Sequence, residues 1–181
     1  MSVTALVDPA MAKWVLVGAL GVMAAACDLR SRRVPNVITF GGAAAAIVIS
    51  GVLAGFNGLP HSMLGWLIGC ALFFPLFAVG GMGAGDVKLL AAFGAVLGPM
   101  GAAWAAIWAS VAGGVLALAV AVAHGYLLEA LRNVRVIVYV WRTLGFSPVD
   151  GLTLGDARGP RMAYAVPISI GALVTLWLRQ G

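Results

Sequence analysis

The chain has 181 residues, 62% of them hydrophobic and only 9% charged, with a mean hydropathy of +1.05. A soluble domain carries about 25% charged residues, so this composition excludes one and indicates a single-domain, all-α integral membrane protein. The net charge of +5 does not call for nucleic acid as a partner, because the basic residues flank apolar runs. Cys27 and Cys70 form no CxxC pair of the kind a structural zinc or a disulfide framework uses.

The apolar runs are continuous rather than alternating, which favours helices over a transmembrane β-barrel. The 25 glycines and abundant alanine suit close helix packing, since small residues let backbones approach. Residues 1–10 lack a basic n-region, so the first apolar run is not read as a cleaved signal peptide.

A first span is expected at about residues 11–27, with Lys13 and Trp14 at the interface. The loop Asp28-Leu29-Arg30-Ser31-Arg32-Arg33-Val34-Pro35-Asn36 follows, and Pro35 biases Val34 away from helix. A second span is expected at 37–54, a tight turn at 56–61, and a third span at 62–79 with Pro75 as a kink.

The glycine-rich stretch Gly80-Gly81-Met82-Gly83-Ala84-Gly85-Asp86-Val87-Lys88 comes next. Glycine permits positive φ and close backbone approach, and positive φ is expected at Gly85. The fourth apolar segment, 87–98, would be only ~18 Å long as a helix, against ~30 Å of hydrocarbon. Either the bilayer is thinned there or the helix begins at Asp86 below the membrane surface. Pro99-Met100-Gly101 makes a break, and a fifth span is expected at 102–123.

Residues 124–160 form the only long polar region. Within it, 126–146 reads as a helix that either lies at the interface or extends the fifth span. Arg132, Arg135 and Arg142 are not expected on one clean face of it. Residues 147–160 are turn-rich. A sixth span at about 162–178 contains Pro167 and closes on Trp177-Leu178-Arg179.

With six spans, the loops after spans one, three and five share a side. They hold Arg30, Arg32, Arg33, Lys88, Arg132, Arg135, Arg142, Arg158 and Arg161, while Lys13 and Arg179 lie opposite. The positive-inside rule then places both termini outside the cytoplasm. It also places Asp28 and Asp86 together on the cytoplasmic side.

The six acids are Asp8, Asp28, Asp86, Glu129, Asp150 and Asp156. Only Asp28 and Asp86 directly adjoin long apolar runs, and an acid at the edge of hydrocarbon marks a functional site. Two carboxylates ~3 Å apart cannot both ionise and share a proton. One can serve as general base on a water while the other hydrogen-bonds a substrate carbonyl. His61 and His124 fall on opposite sides, so no Ser-His-Asp or Cys-His group competes. No third carboxylate or histidine falls beside the pair, so neither a metal nor a cofactor is expected.

Asp28, followed by Arg30, Val34, Pro35 and Asn36, resembles the first-aspartate motif of type IV prepilin peptidases. Gly83-Ala84-Gly85-Asp86-Val87-Lys88 resembles their GxGD motif with its lysine. The resemblance covers nearly the whole chain. It implies a GxGD-type aspartyl peptidase architecture with Asp28 and Asp86 as the catalytic pair. It implies removal of a short basic leader, just ahead of a hydrophobic helix, from prepilins at the cytoplasmic face of the bacterial inner membrane. Longer relatives carry paired CxxC motifs for N-methylation. This chain has none, and so is similar to the short, peptidase-only members of Flp/Tad-type systems. The segment Arg161-Met162-Ala163-Tyr164-Ala165-Val166-Pro167 departs from the commoner Pro-Phe/Tyr-Gly-Pro pattern, and no catalytic role is assigned there.

Gly83 and Gly85 are expected to border the cleft in which substrate lies extended, with Lys88, Arg30, Pro35 and Asn36 around it. Other roles compete. Asp86 suits a helix N-cap. Arg30, Arg32 and Arg33 read first as topology determinants in contact with lipid headgroups. Lys88 either reaches phosphate or raises the local potential. Prepilins and membrane lipids are the expected partners, and the oligomeric state is left open. A presenilin-like protease would place tyrosine where Cys27 stands. A proton-coupled transporter would show repeats and midplane acids.

Overall fold

The computed structural model describes residues 8–149, 151–153 and 162–180. Asp150, Asp156, Arg158 and Arg161, with most of the turn-rich stretch, lie outside them. Every regular element among the described residues is helical: α1 Pro9–Ser31, α2 Asn36–Ala54, a 3-10 turn Gly55–Asn57, α3 Gly58–Ala78, α4 Ala84–Ala123, α5 Leu127–Leu144 and α6 Ala165–Gln180.

Helix ends follow local chemistry. Asp8 caps α1, its carboxylate accepting the Ala10 N–H at 2.9 Å. Pro9 occupies the first turn, where its missing donor costs nothing. Arg32 ends α1 in the left-handed region (φ 53), its N–H donating to the Asp28 carbonyl at 2.8 Å. Pro35 then starts α2. Pro75 lies inside α3 without ending it.

Gly98 divides α4. Its φ of 77° and ψ of 178° are not helical, and Pro99 follows. A Cβ on Gly94 would lie 3.1 Å from the Ala102 Cβ, whereas eight residues of straight helix would separate them by ~12 Å. The chain therefore doubles back, and α4 is two arms, residues 84–97 and 99–123, packed against each other. The break expected at Pro99 is a reversal.

The first arm is the core of the protein. Leu89 to Gly98 are all buried, and α2, α3 and α6 pack around the two arms. Small residues make this possible. A Cβ on Gly69 would lie 2.7 Å from the Leu90 carbonyl oxygen, and one on Gly171 would lie 2.5 Å from that of Ala105. The Ser62 hydroxyl donates to the Ala95 carbonyl at 2.7 Å, tying α3 to the core arm. Leu89, Leu90 and Phe93 fill the core arm, while many other large aliphatics point outward: Val22 is 71% and Val37 83% exposed. Small residues at the helix contacts and aliphatics on the outer surface are the packing expected where the surroundings are lipid.

Three helical runs, Pro9–Ser31, Asn36–Ala78 and Ala84–Ala123, are long and apolar enough to cross a membrane, and Ala165–Arg179 is a shorter apolar helix. The helices alternate in direction, which gives the bundle two ends. One end gathers the C-terminus of α1 and the N-termini of α2, α4 and α6. At the other, His61 packs on Gly98 and Arg179 lies beside Gly101.

The helix expected at 126–146 is α5, separated from α4 by a turn in which Gly125 has φ 73. It has no buried residue. The expectation that its arginines share no face is corrected. Arg132, Arg135 and Arg142 line one surface together with Tyr139, because steps of three, four and three residues return to the same helical side.

Candidate active site

α1 buries Val17, Leu20, Gly21, Ala24 and Asp28. These positions recur at helical spacing, so Asp28 occupies the last place of an apolar stripe rather than a solvated turn. It is 6% exposed. Gly21 lets α6 approach: the Ser169 hydroxyl lies 3.4 Å from the Gly21 carbonyl and donates to Ala165 O at 2.7 Å. This contact brings the first residue of α6 beside Asp28. The Ala165 N–H donates to Asp28 Oδ2 at 3.0 Å. The donor is one of the unpaired amides at a helix N-terminus, which favours negative charge.

Asp86 comes from the first turn of α4. Gly83 is the N-cap, and the Asp86 carboxylate reaches back to accept the Gly83 N–H at 3.3 Å through Oδ2. The expectation that Asp86 itself caps the helix is corrected, since it stands three residues further in. Asp28 lies close enough for its charge to act on Asp86. The same bundle end thus brings together the two acids singled out in the sequence, from α1 and α4.

The other expected residues are placed as follows. Gly85 lies in the first turn of α4 and faces Val34, whose Cβ would be 3.6 Å from a Cβ at Gly85. Neither Gly83 nor Gly85 has positive φ. In this stretch that conformation belongs to Gly80, at φ 75, because the reversal after α3 falls there and helix resumes at Ala84. Lys88 projects from a different side of α4 than Asp86. Its Nζ donates to Asn36 Oδ1 at 3.0 Å and lies 5.4 Å from the Phe40 ring centroid. Lys88 and Asn36 therefore clip α4 to α2. Arg30 is exposed in the last turn of α1, and Pro35 is exposed at the head of α2.

Two contributors carry no acidic or basic signature. One is the Ala165 amide, a backbone donor. The other is Tyr164, whose ring rests on Gly113: a Cβ there would lie 2.5 Å from the phenol oxygen. The charge of Asp86 acts on this phenol. A cavity of about 300 Å³, bordered by Lys13, Ser50 and His61, lies at the opposite end of the bundle from the acids.

Two carboxylates from neighbouring helices of an apolar bundle, near enough for the charge of one to act on the other, are groups that can serve as acid and base. The chain belongs to the type IV leader peptidase family, whose profile matches residues 14–118 and so includes both acids. Tyr164 and Ala165 fall beyond the matched stretch. No curated protein and no solved structure matches the chain.

Proposed function

We propose that this protein is an aspartyl endopeptidase that removes the short basic leader from type IV prepilins, with Asp28 and Asp86 as its catalytic pair. The observation that carries the reading is the meeting of these two acids, from α1 and α4, in a chain of this family. The pair holds one proton between its carboxyls. The ionised member takes a proton from water, and the water oxygen bonds to the scissile carbonyl carbon. The protonated member donates to the carbonyl oxygen. Collapse of the tetrahedral intermediate breaks the C–N bond; the leaving amine takes up the proton that the first carboxyl removed from water, and the re-forming carbonyl returns its proton to the second.

The six spans of this reading are α1, α2, α3, the two arms of α4, and α6. The arm at 84–97 is ~21 Å long, below the ~30 Å of hydrocarbon, so Asp86 starts from a recessed position. In this reading the acids lie at the cytoplasmic face of the inner membrane with both termini outside, which the positive-inside rule applied to the arginine-rich loops supports. The chain acts as one peptidase domain of the short, Flp/Tad-like kind. A prepilin with a basic leader, a glycine and an apolar helix, presented to the purified protein in lipid, should be cut at the leader junction. No cleavage of any such substrate by well-folded protein would refute the proposal.

A further inference from the structure

Tyr164 immediately precedes the amide that holds Asp28, so its backbone is pinned to one acid, and the charge of the other acts on its phenol. The ring occupies a notch that only glycine leaves open. A Cβ on Gly113 would stand 2.5 Å from the phenol oxygen and 2.7 Å from Cζ. The side chain is half-buried, and no described residue hydrogen-bonds its hydroxyl. Among the described residues no buried side-chain oxygen is left without a partner, so this hydroxyl is not sealed from its surroundings and is open to a substrate group. Burial, and then the charge of Asp86, push the Tyr164 phenol up from its ordinary value, so it is a proton donor at neutral pH.

We propose that the Tyr164 hydroxyl donates a hydrogen bond to the scissile carbonyl oxygen of the substrate, as a third polar group beside Asp28 and Asp86. This rests on the peptidase reading above. When the water oxygen adds to the carbonyl carbon, the C=O electron pair moves to oxygen. The protonated carboxyl supplies one donor there and Tyr164 a second. Tyr164 keeps its proton throughout, because it stabilises charge and transfers nothing. A donor of this kind acts most strongly in the transition state, so its loss lowers kcat rather than raising KM. Gly113 is the positioning residue, since it sets how close the phenol comes.

Tyr164→Phe leaves the ring on Gly113 and removes only the hydroxyl. With a prepilin substrate in lipid, kcat should fall by ~10²-fold, in the range seen when one oxyanion donor is removed. KM and Tm should stay near wild type. Gly113→Ala should also lower kcat, and adding it to Tyr164→Phe should cost no further kcat, because both act through the same hydroxyl. Tyr164→Phe with wild-type kcat, or losses that multiply in the double variant, would overturn the proposal and leave Tyr164 as packing. Asp86→Asn separates the two levels of the argument. If wild type cleaves and Asp86→Asn does not, the peptidase reading stands whatever Tyr164→Phe shows. If wild type cleaves no prepilin, both readings fall.

Discussion

Replacing Asp28 by asparagine separates the chemistry of the acid from its structural contact. The Ala165 N–H donates to Asp28 Oδ2 at 3.0 Å in a site that is 6% exposed. Asparagine is isosteric and keeps a carbonyl oxygen for that donor. What changes is a charge-assisted hydrogen bond becoming a neutral one, a difference of about 1 kcal/mol. For a chain of this size that lowers Tm by roughly 2–4 °C. Activity should behave differently. An amide cannot take a proton from water, and general acid–base catalysis contributes 10²–10⁴-fold, so cleavage should fall by at least about 10²-fold. Asp28→Leu provides the contrast. It leaves a buried N–H without a partner, at ~1–3 kcal/mol, so Tm should fall further with no greater loss of activity. The assay pairs leader removal, followed by mobility shift on a gel, with thermal unfolding of the same purified sample. Near wild-type turnover in Asp28→Asn would refute the acid-pair reasoning, and an Asp28→Leu protein as stable as Asp28→Asn would refute the role given to the Ala165 amide.

Four further outcomes are expected. Gly98→Ala should destabilise by at least ~1–2 kcal/mol, the cost of left-handed backbone, and by more because His61 occupies the place of the new Cβ; a purified variant with unchanged Tm would count against the reversal. Gly85→Ala should keep activity and stability, changing the latter by no more than about 0.5 kcal/mol, because its Cβ meets Val34 at an ordinary 3.6 Å; loss of cleavage without loss of Tm would instead show substrate passing there. The pH–rate profile should be bell-shaped, since turnover needs one proton on the pair and is lost when both carboxyls are protonated or both ionised; a rate that rises to a plateau would indicate a single acting acid. In cells, cysteine at Ser31 should be shielded from impermeant reagents and cysteine at Asn57 labelled, and the reverse pattern would invert the topology.

The acids were legible because a carboxylate next to a long apolar run has few structural uses. The places where chain direction changes were legible too, at Pro35, just after α2 and at Pro99, although the turn expected at 56–61 is only Gly55–Asn57, and residues 58–61 already belong to α3. How sharply the chain turns was not. Gly98-Pro99 reads as a break, but only the contact of Gly94 with Ala102 makes it a hairpin. The glycines around Asp86 misled for a physical reason. Four glycines in six residues do not reveal which of them takes positive φ, and the one that does, Gly80, lies outside the GxGD tetrad. The Ala165 amide could not have been found by scanning for side chains, because backbone donors exist at every non-proline residue. Its position depends on the Gly21–Ser169 contact between α1 and α6. The arginine face of α5 was readable from spacing alone and needed only a helical count.

The reversal at Gly98 bears on how the polypeptide enters the bilayer during synthesis. An insertion machinery that samples one hydrophobic stretch at a time would meet residues 84–97 as a segment of ~21 Å, carrying Asp86 and Lys88 at its leading end and too short to hold its position alone. Residues 99–123 are longer and lack any acidic or basic side chain. Insertion of the first arm therefore waits for the second, and the two go in as a pair. The segment bearing Asp86 is the last part of its own hairpin to become stable, so the acids cannot meet before translation has passed the second arm.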